Sequence, residues 1–252
     1  MDPLLRKVLL ITGALGQLGQ AATKMFLEKG AVVVANDIGD VDQSREMKLL
    51  LQEYGENRLI FVRSDVTREA DSALLAKEIE SKFGRLDGYF HNVCTAIHKP
   101  VLEQTLAEWE LVITGTLTSA FIVCKSMLPL LIRSGGGSIV NTSSIISQIP
   151  AAYNAAYGAA KAGVNQFTKI VAHDYATSKI RANAILPGIF FAQNKISELS
   201  NDTLQLIHDN SLLERCGTAE EIAEMAAFLL SDAASYITGA LIPVDGGYHM
   251  KN

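Results

Sequence analysis

Tyr157 and Lys161 stand four residues apart in a segment of helical period, so both side chains project from one face and can reach a common ligand. A phenol with its ordinary pKa of about 10 is a poor base near neutrality, and a neighbouring ammonium lowers that pKa by stabilising the phenolate. The pair is therefore a candidate proton donor and acceptor. Ser144 lies just past the aliphatic run 138–142, at the carboxyl end of an expected strand, where open parallel sheets bind their ligands. Near the start of the chain, Thr12-Gly13-Ala14-Leu15-Gly16-Gln17-Leu18-Gly19 joins a short aliphatic run to a helical one. Glycines in such a turn let backbone amides approach a pyrophosphate, whose charge then sits at the positive end of the helix.

Asp37 ends the next aliphatic run, roughly 20 residues after the glycines, where a carboxylate accepts hydrogen bonds from adenosine ribose hydroxyls. A 2′-phosphate would meet like charge there. The nearest following basic residue along the chain is Arg45, and Asp40 and Asp42 deepen the negative field. These residues point to NAD as the cofactor. Asp65-Val66, at the end of the third run, is placed to flank the adenine, although an Asp at such a boundary is also an ordinary helix cap.

The elements that must position these groups alternate along the whole chain. Strands are expected at 8–12, 32–36, 59–62, 88–92, 138–142, 181–185 and 241–244, with helices at 18–29, 69–83, 105–133, 153–175 and 219–230. The strands read as continuous Val/Ile/Leu runs, which is what a parallel sheet covered on both faces demands. Thr105 with Glu108, and Thr218 with Glu221, form capping boxes, and Gly30, Gly55 and Gly84 follow helical runs as C-terminal residues should. The expected fold is α/β: a single-domain, doubly wound, Rossmann-like parallel sheet of about seven strands spanning 1–252, with helices on both faces. Residues 190–214 are the least regular stretch and read as a mobile, partly helical substrate lid.

Composition narrows the function classes. With 252 residues and 48% hydrophobic content, the chain can build one large core. A net charge of −5 leaves no basic footprint, so nucleic acid is not an expected partner. Cys94, Cys124 and Cys216 lack disulfide or zinc spacing and read as buried thiols, with no metal expected. The opening residues do not form a signal peptide, and the most membrane-like stretch, 111–132, is broken by Thr114, Thr116, Lys125 and Pro129. The expectation is a cytoplasmic protein with no membrane partner.

TGALGQLG at 12–19, DV at 65–66, SIVNTSS at 138–144, YGAAK at 157–161, RANAILPG at 181–188 and ITGALIPVDGG at 237–247 resemble, in order and spacing, the short-chain dehydrogenase/reductase family. The resemblance covers essentially the whole chain and implies a nicotinamide-dependent oxidoreductase interconverting a secondary alcohol and a ketone. Ser144, Tyr157 and Lys161 fall on that family's catalytic serine, tyrosine and lysine. The implied roles are a substrate-oxygen hydrogen bond from Ser144, proton exchange by Tyr157 and stabilisation of its phenolate by Lys161. The implied cofactor positions are Gly13, Gly16, Gln17, Leu18, Gly19, Asp37, Ile38, Asp65, Val66, Asn92, Tyr157, Lys161, Pro187, Gly188 and Ile189. Pro187-Gly188 would let the backbone approach the nicotinamide carboxamide.

Several positions depart from the family pattern. Gln17 stands where the middle glycine is usual, His91-Asn92-Val93-Cys94 where N-N-A-G is usual, and Ala192 where a threonine often binds the carboxamide. By spacing, Thr116 replaces the asparagine that supports a water relay behind the lysine, and it joins the catalytic candidates in that role. His98 and Lys99 could touch substrate or be exposed loop residues. The departures keep an alternative open: a cofactor-binding regulatory or scaffold protein with weakened turnover. A homotetramer is expected from the resemblance and from two long helices apolar on more than one face, with Ala151, Ala152, Ala155, Ala156, Ala159 and Ala160 allowing close approach.

Overall fold

The structure is a computed structural model describing residues 2–251; the two end residues of the expected 1–252 domain lie outside the described residues. In chain order the strands are β1 (Val8–Thr12), β2 (Val32–Asp37), β3 (Leu59–Arg63), β4 (Gly88–His91), β5 (Gly137–Thr142), β6 (Ile180–Pro187), β7 (Phe190–Phe191), β8 (Gly217–Thr218) and β9 (Leu241–Val244). The helices are α1 (Gln17–Glu28), α2 (Arg45–Tyr54), α3 (Glu69–Phe83), α4 (Leu106–Ile113), α5 (Ser119–Arg133), α6 (Ala155–Asp174), α7 (Asn201–Asn210), α8 (Ala219–Leu230) and α9 (Tyr248–Lys251).

Seven strands form one parallel sheet in the order β3-β2-β1-β4-β5-β6-β9, with β7 and β8 paired separately. The order reverses between β1 and β4, and a crevice opens there at the carboxyl ends of the strands. Both faces are covered, as the aliphatic runs require. Leu9 and Ile11 of β1 join α1, α2 and α8 in one apolar cluster, whereas Val8 and Leu10 join α3, α5 and α6 in another. Alternate residues of a strand face opposite ways, so every position of β1 is buried, and its one polar residue, Thr12, is hydrogen-bonded.

Two sequence expectations need correction. The helix expected at 105–133 is interrupted by a π-turn at Thr114–Thr118, which displaces one turn of backbone beside the crevice. Leu106–Arg133 is long and apolar enough to cross a membrane, yet 56% of its most apolar window is buried inside the protein, as suits a core helix. Cys124 and Cys216 are buried, but Cys94 is exposed, because the loop after β4 turns it outward. The 190–214 stretch carries β7, a 3-10 turn at Gln193–Glu198 and α7, so its partly helical character holds.

Candidate active site

The glycine turn leads directly from β1 into α1, and its geometry leaves no room for side chains at Gly13 and Gly19. A Cβ on Gly19 would lie 2.1 Å from the Gly13 carbonyl oxygen, and Gly13 adopts φ +66°, where a Cβ would also come within 3.3 Å of the Asn92 backbone. A Cβ on Gly16, by contrast, would meet nothing closer than 3.5 Å, so that glycine leaves space above the turn instead of filling it. Gly16 caps α1 with no side-chain hydrogen bond, and the first turn carries no acid. The uncapped amides at the start of α1 therefore face a cavity of about 550 Å³, where a pyrophosphate fits their unmet hydrogen bonds and positive potential.

That cavity runs along the crevice. Of the expected cofactor positions, Gly13, Gly16, Gln17, Leu18, Asp37, Ile38, Asp65, Val66 and Asn92 line it; Leu15, Asn36, Ser64, Thr67, Thr95 and Gly115 line it too and were not anticipated. Both Asp37 oxygens are fixed, one by the Leu15 amide and the other by the Gly39 amide, each at 2.9 Å. Asp65 accepts from the Thr67 amide and hydroxyl, so it caps its own turn while lining the cavity. Gly188 has a different reason to be glycine: a Cβ there would lie 2.8 Å from Asp245. Its amide bonds the Val244 carbonyl, following Pro187 at the end of β6, and the Ile189 carbonyl bonds Gly217.

Ser144, Tyr157 and Lys161 come together at the carboxyl end of β5. Lys161 is 1% exposed, and its Nζ donates to the Thr142 carbonyl at 2.6 Å while lying 5.6 Å from the centre of the Tyr157 ring. Burial lowers the ammonium's pKa, and a neighbouring Cys94 charge opposes that. Burial also pushes the Tyr157 phenol well up, Cys94 adds to the rise, and a hydrogen bond with Ser144 works against both. The lowering expected from Lys161 is not among the influences acting on the phenol in the protein by itself, where burial dominates. Cys94 and Val93 line the cavity at the end nearest this trio, and the His98 ring stands edge-on to Tyr157 at 6.4 Å. Lys99 instead pairs with Glu108.

The departures from the family pattern have partners. Thr116 accepts from the Thr95 amide and donates to the Thr95 carbonyl, both at 3.1 Å, clamping the loop after β4 to the π-turn. The Ala192 amide donates to Gln17 Oε1 at 2.9 Å, so the unusual residue of the glycine turn holds the start of the 190–214 segment. Asn92 accepts from the Thr142 hydroxyl. His91, noted in sequence only as a departure, is a buried hub: Nδ1 meets Thr12 Oγ1 at 2.9 Å and Nε2 meets Ser119 Oγ at 3.3 Å. Since Thr12 Oγ1 accepts the Asn92 amide and Ser119 donates to the Gly115 carbonyl, the consistent arrangement has Thr12 donating to Nδ1 and Nε2–H donating to Ser119. Burial and the Lys161 charge hold this imidazole neutral, with its pKa lowered to about 3.

A protein-family model described as Enoyl-(Acyl carrier protein) reductase matches residues 13–249. The chain is 37% identical over 243 residues to cis-4-hydroxycyclohexanecarboxylate dehydrogenase of Sinomonas cyclohexanicum, covering 96% of both chains. It is 33% identical over 248 residues to 3beta-hydroxysteroid dehydrogenase 1 of Eggerthella lenta, covering 98% of this chain and 95% of the other. The solved structure of a short-chain type dehydrogenase/reductase from Mycobacterium ulcerans superposes with a TM-score of 0.89 at 28% identity, over 98% of this chain and 91% of that one. The chain belongs to the short-chain dehydrogenase/reductase family. It is an oxidoreductase acting on CH–OH groups with a nicotinamide cofactor.

Proposed function

We propose that this protein is a cytoplasmic, NAD-dependent dehydrogenase that interconverts a small secondary alcohol and its ketone, working as a single-domain subunit of a homotetramer. The observation that carries the reading is the buried Lys161 ammonium 5.6 Å from the centre of the Tyr157 ring, with Ser144 close enough to work against the rise of the phenol's pKa, beside a cavity rimmed by uncapped helix amides and Asp37. When bound, the nicotinamide supplies or accepts the hydride. Ser144 donates to the substrate oxygen and holds it against Tyr157, which takes the hydroxyl proton during oxidation and returns it during reduction. In this reading Lys161 counters the negative charge that develops on the phenolate and hydrogen-bonds the ribose of the bound cofactor. Asp37, rigid and charged, favours a free 2′-hydroxyl over a phosphate. Both relatives described above are named for hydroxyls carried on rings, which supports a ring-borne alcohol as the substrate class. The exposed Phe121, Ile132 and Ile170 on α5 and α6 support the assembly.

Tyr157→Phe tests the assignment, because the ring stays and only the acid–base hydroxyl goes. NAD affinity should stay within about twofold while kcat falls by roughly 10³ or more. A near-normal kcat would overturn the role. One observation favours a second reading, a cofactor-binding regulatory or scaffold protein: the one proton of the Thr116 hydroxyl is already donated to the Thr95 carbonyl, away from a relay. NADH fluorescence during a panel of ketones separates the two, since binding without oxidation supports the second.

A further inference from the structure

We propose that Arg63, latched to Asp40, is a coenzyme-specificity residue, and that Asp40 keeps it from serving a 2′-phosphate. The inference rests on the reading that Asp37 meets the adenosine ribose, and it changes the basis on which the two coenzymes are told apart. Along the sequence no cation stands near Asp37. In the sheet one does: Arg63 ends β3 as the register partner of Asp37, about 4.8 Å away across a strand pair.

The guanidinium of Arg63 folds back over the tip of β2. Its Nε donates to the Ile38 carbonyl and one terminal nitrogen bonds Asp40 Oδ2, both at 3.1 Å. A guanidinium has five N–H donors, so three remain, enough for a forked grip on a phosphate. Arg63 is 63% exposed and can pivot, while Ile38 beside it lines the cavity. What opposes this is charge. Asp40, 45% exposed, neutralises the arginine, and Asp37 repels a phosphate directly. Asp40 is also anchored, because its other oxygen caps the turn at Asp42. The corner thus holds a phosphate-binding cation in reserve.

The test measures Kd for NAD and NADP with the full-length chain at fixed ionic strength, by calorimetry. The variants are Asp40→Asn, Arg63→Ala, the double variant and Asp37→Asn. Asparagine keeps the turn cap and removes only the charge, and an exposed ion pair contributes little to stability, so folding should be unaffected. Asp40→Asn should tighten NADP binding at least tenfold with NAD within about threefold, and the double variant should lose that gain. Unchanged NADP affinity in Asp40→Asn, or a gain that survives removal of Arg63, overturns the latch. Asp37→Asn reports separately on the underlying reading. If it alters neither coenzyme's affinity, the ribose is not at this corner and both claims fall; if it narrows the NAD preference while Asp40→Asn does nothing, only the latch fails.

Discussion

Replacing His91 with asparagine should flatten the acid side of the stability profile. The wild-type imidazole is 2% exposed, and burial together with the Lys161 charge lowers its pKa to about 3, against about 6.5 for the unfolded chain. Above pH 6.5 the ring is neutral in both states and adds no pH dependence. Below it the unfolded chain takes up a proton that the folded protein refuses, so stability falls as pH drops from 6.5 toward 3. Each pH unit in that window is worth about 1.4 kcal/mol, which puts the loss from this one group at about 2 kcal/mol by pH 5. Asparagine can donate and accept in the same place and does not titrate. Urea unfolding at pH 7.5, 6 and 5, followed by circular dichroism at one protein concentration, measures the difference between wild type and the His91→Asn variant. Carboxylates contribute equally to both curves and cancel. If the two proteins lose the same stability between pH 6.5 and 5, His91 is not held neutral by its surroundings, and the hydrogen-bond chain Thr12–His91–Ser119 is wrongly drawn.

Other substitutions probe the site's walls. Gly19→Ala places a methyl 2.1 Å from the Gly13 carbonyl, so the glycine turn must shift; stability should fall by about 1–3 kcal/mol and NAD affinity at least tenfold, by thermal melting and calorimetry. Thr116→Val keeps the shape but strips the amide and carbonyl of Thr95 of their partner, which should cost about 1–3 kcal/mol; an unchanged melting temperature would show that the clamp does nothing. In the oxidation direction kcat/KM should rise with pH on the alkaline side, because burial raises the Tyr157 phenol and base must be generated from it; a flat profile above pH 7 would contradict this. Light scattering at micromolar concentration should give the tetramer mass, and a monomer would refute the assembly.

The strands of the main sheet were legible mostly because runs such as Val8–Ile11 and Val32–Val34 are continuously aliphatic, and such a run has few options besides burial on both faces. Helices Glu69–Phe83 and Ala219–Leu230 were legible to the residue through their period and, for the latter, the Thr218 capping box. Helix Arg45–Tyr54 was marked only at its end, by Gly55, and its bounds were not legible: only Met47 and Leu50 are buried in it, so its apolar signal is short, although the Ser44 cap on Met47 marks its start. Strands β7 and β8, two residues each, are too short to leave a pattern. The π-turn at Thr114–Thr118 lies inside one long apolar stretch, whose period does not mark where the extra residue enters.

By itself the sequence determined what depends on local pattern: the βα alternation, the glycine-rich turn between a strand and a helix, and the helical spacing of Tyr157 and Lys161 four residues apart on one face. Tertiary structure decided which groups meet. Strand register brought Arg63 beside Asp37, the convergence of β1, β4 and the π-turn made His91 a buried hub, and the fold joined Gln17 to Ala192. The fold also turned Cys94 outward and drove the Tyr157 phenol up through burial. Periodicity along a chain reports how deeply a residue is buried, but pairing across strands and the desolvation of a charge depend on neighbours tens or hundreds of residues away, which only the packed sheet supplies.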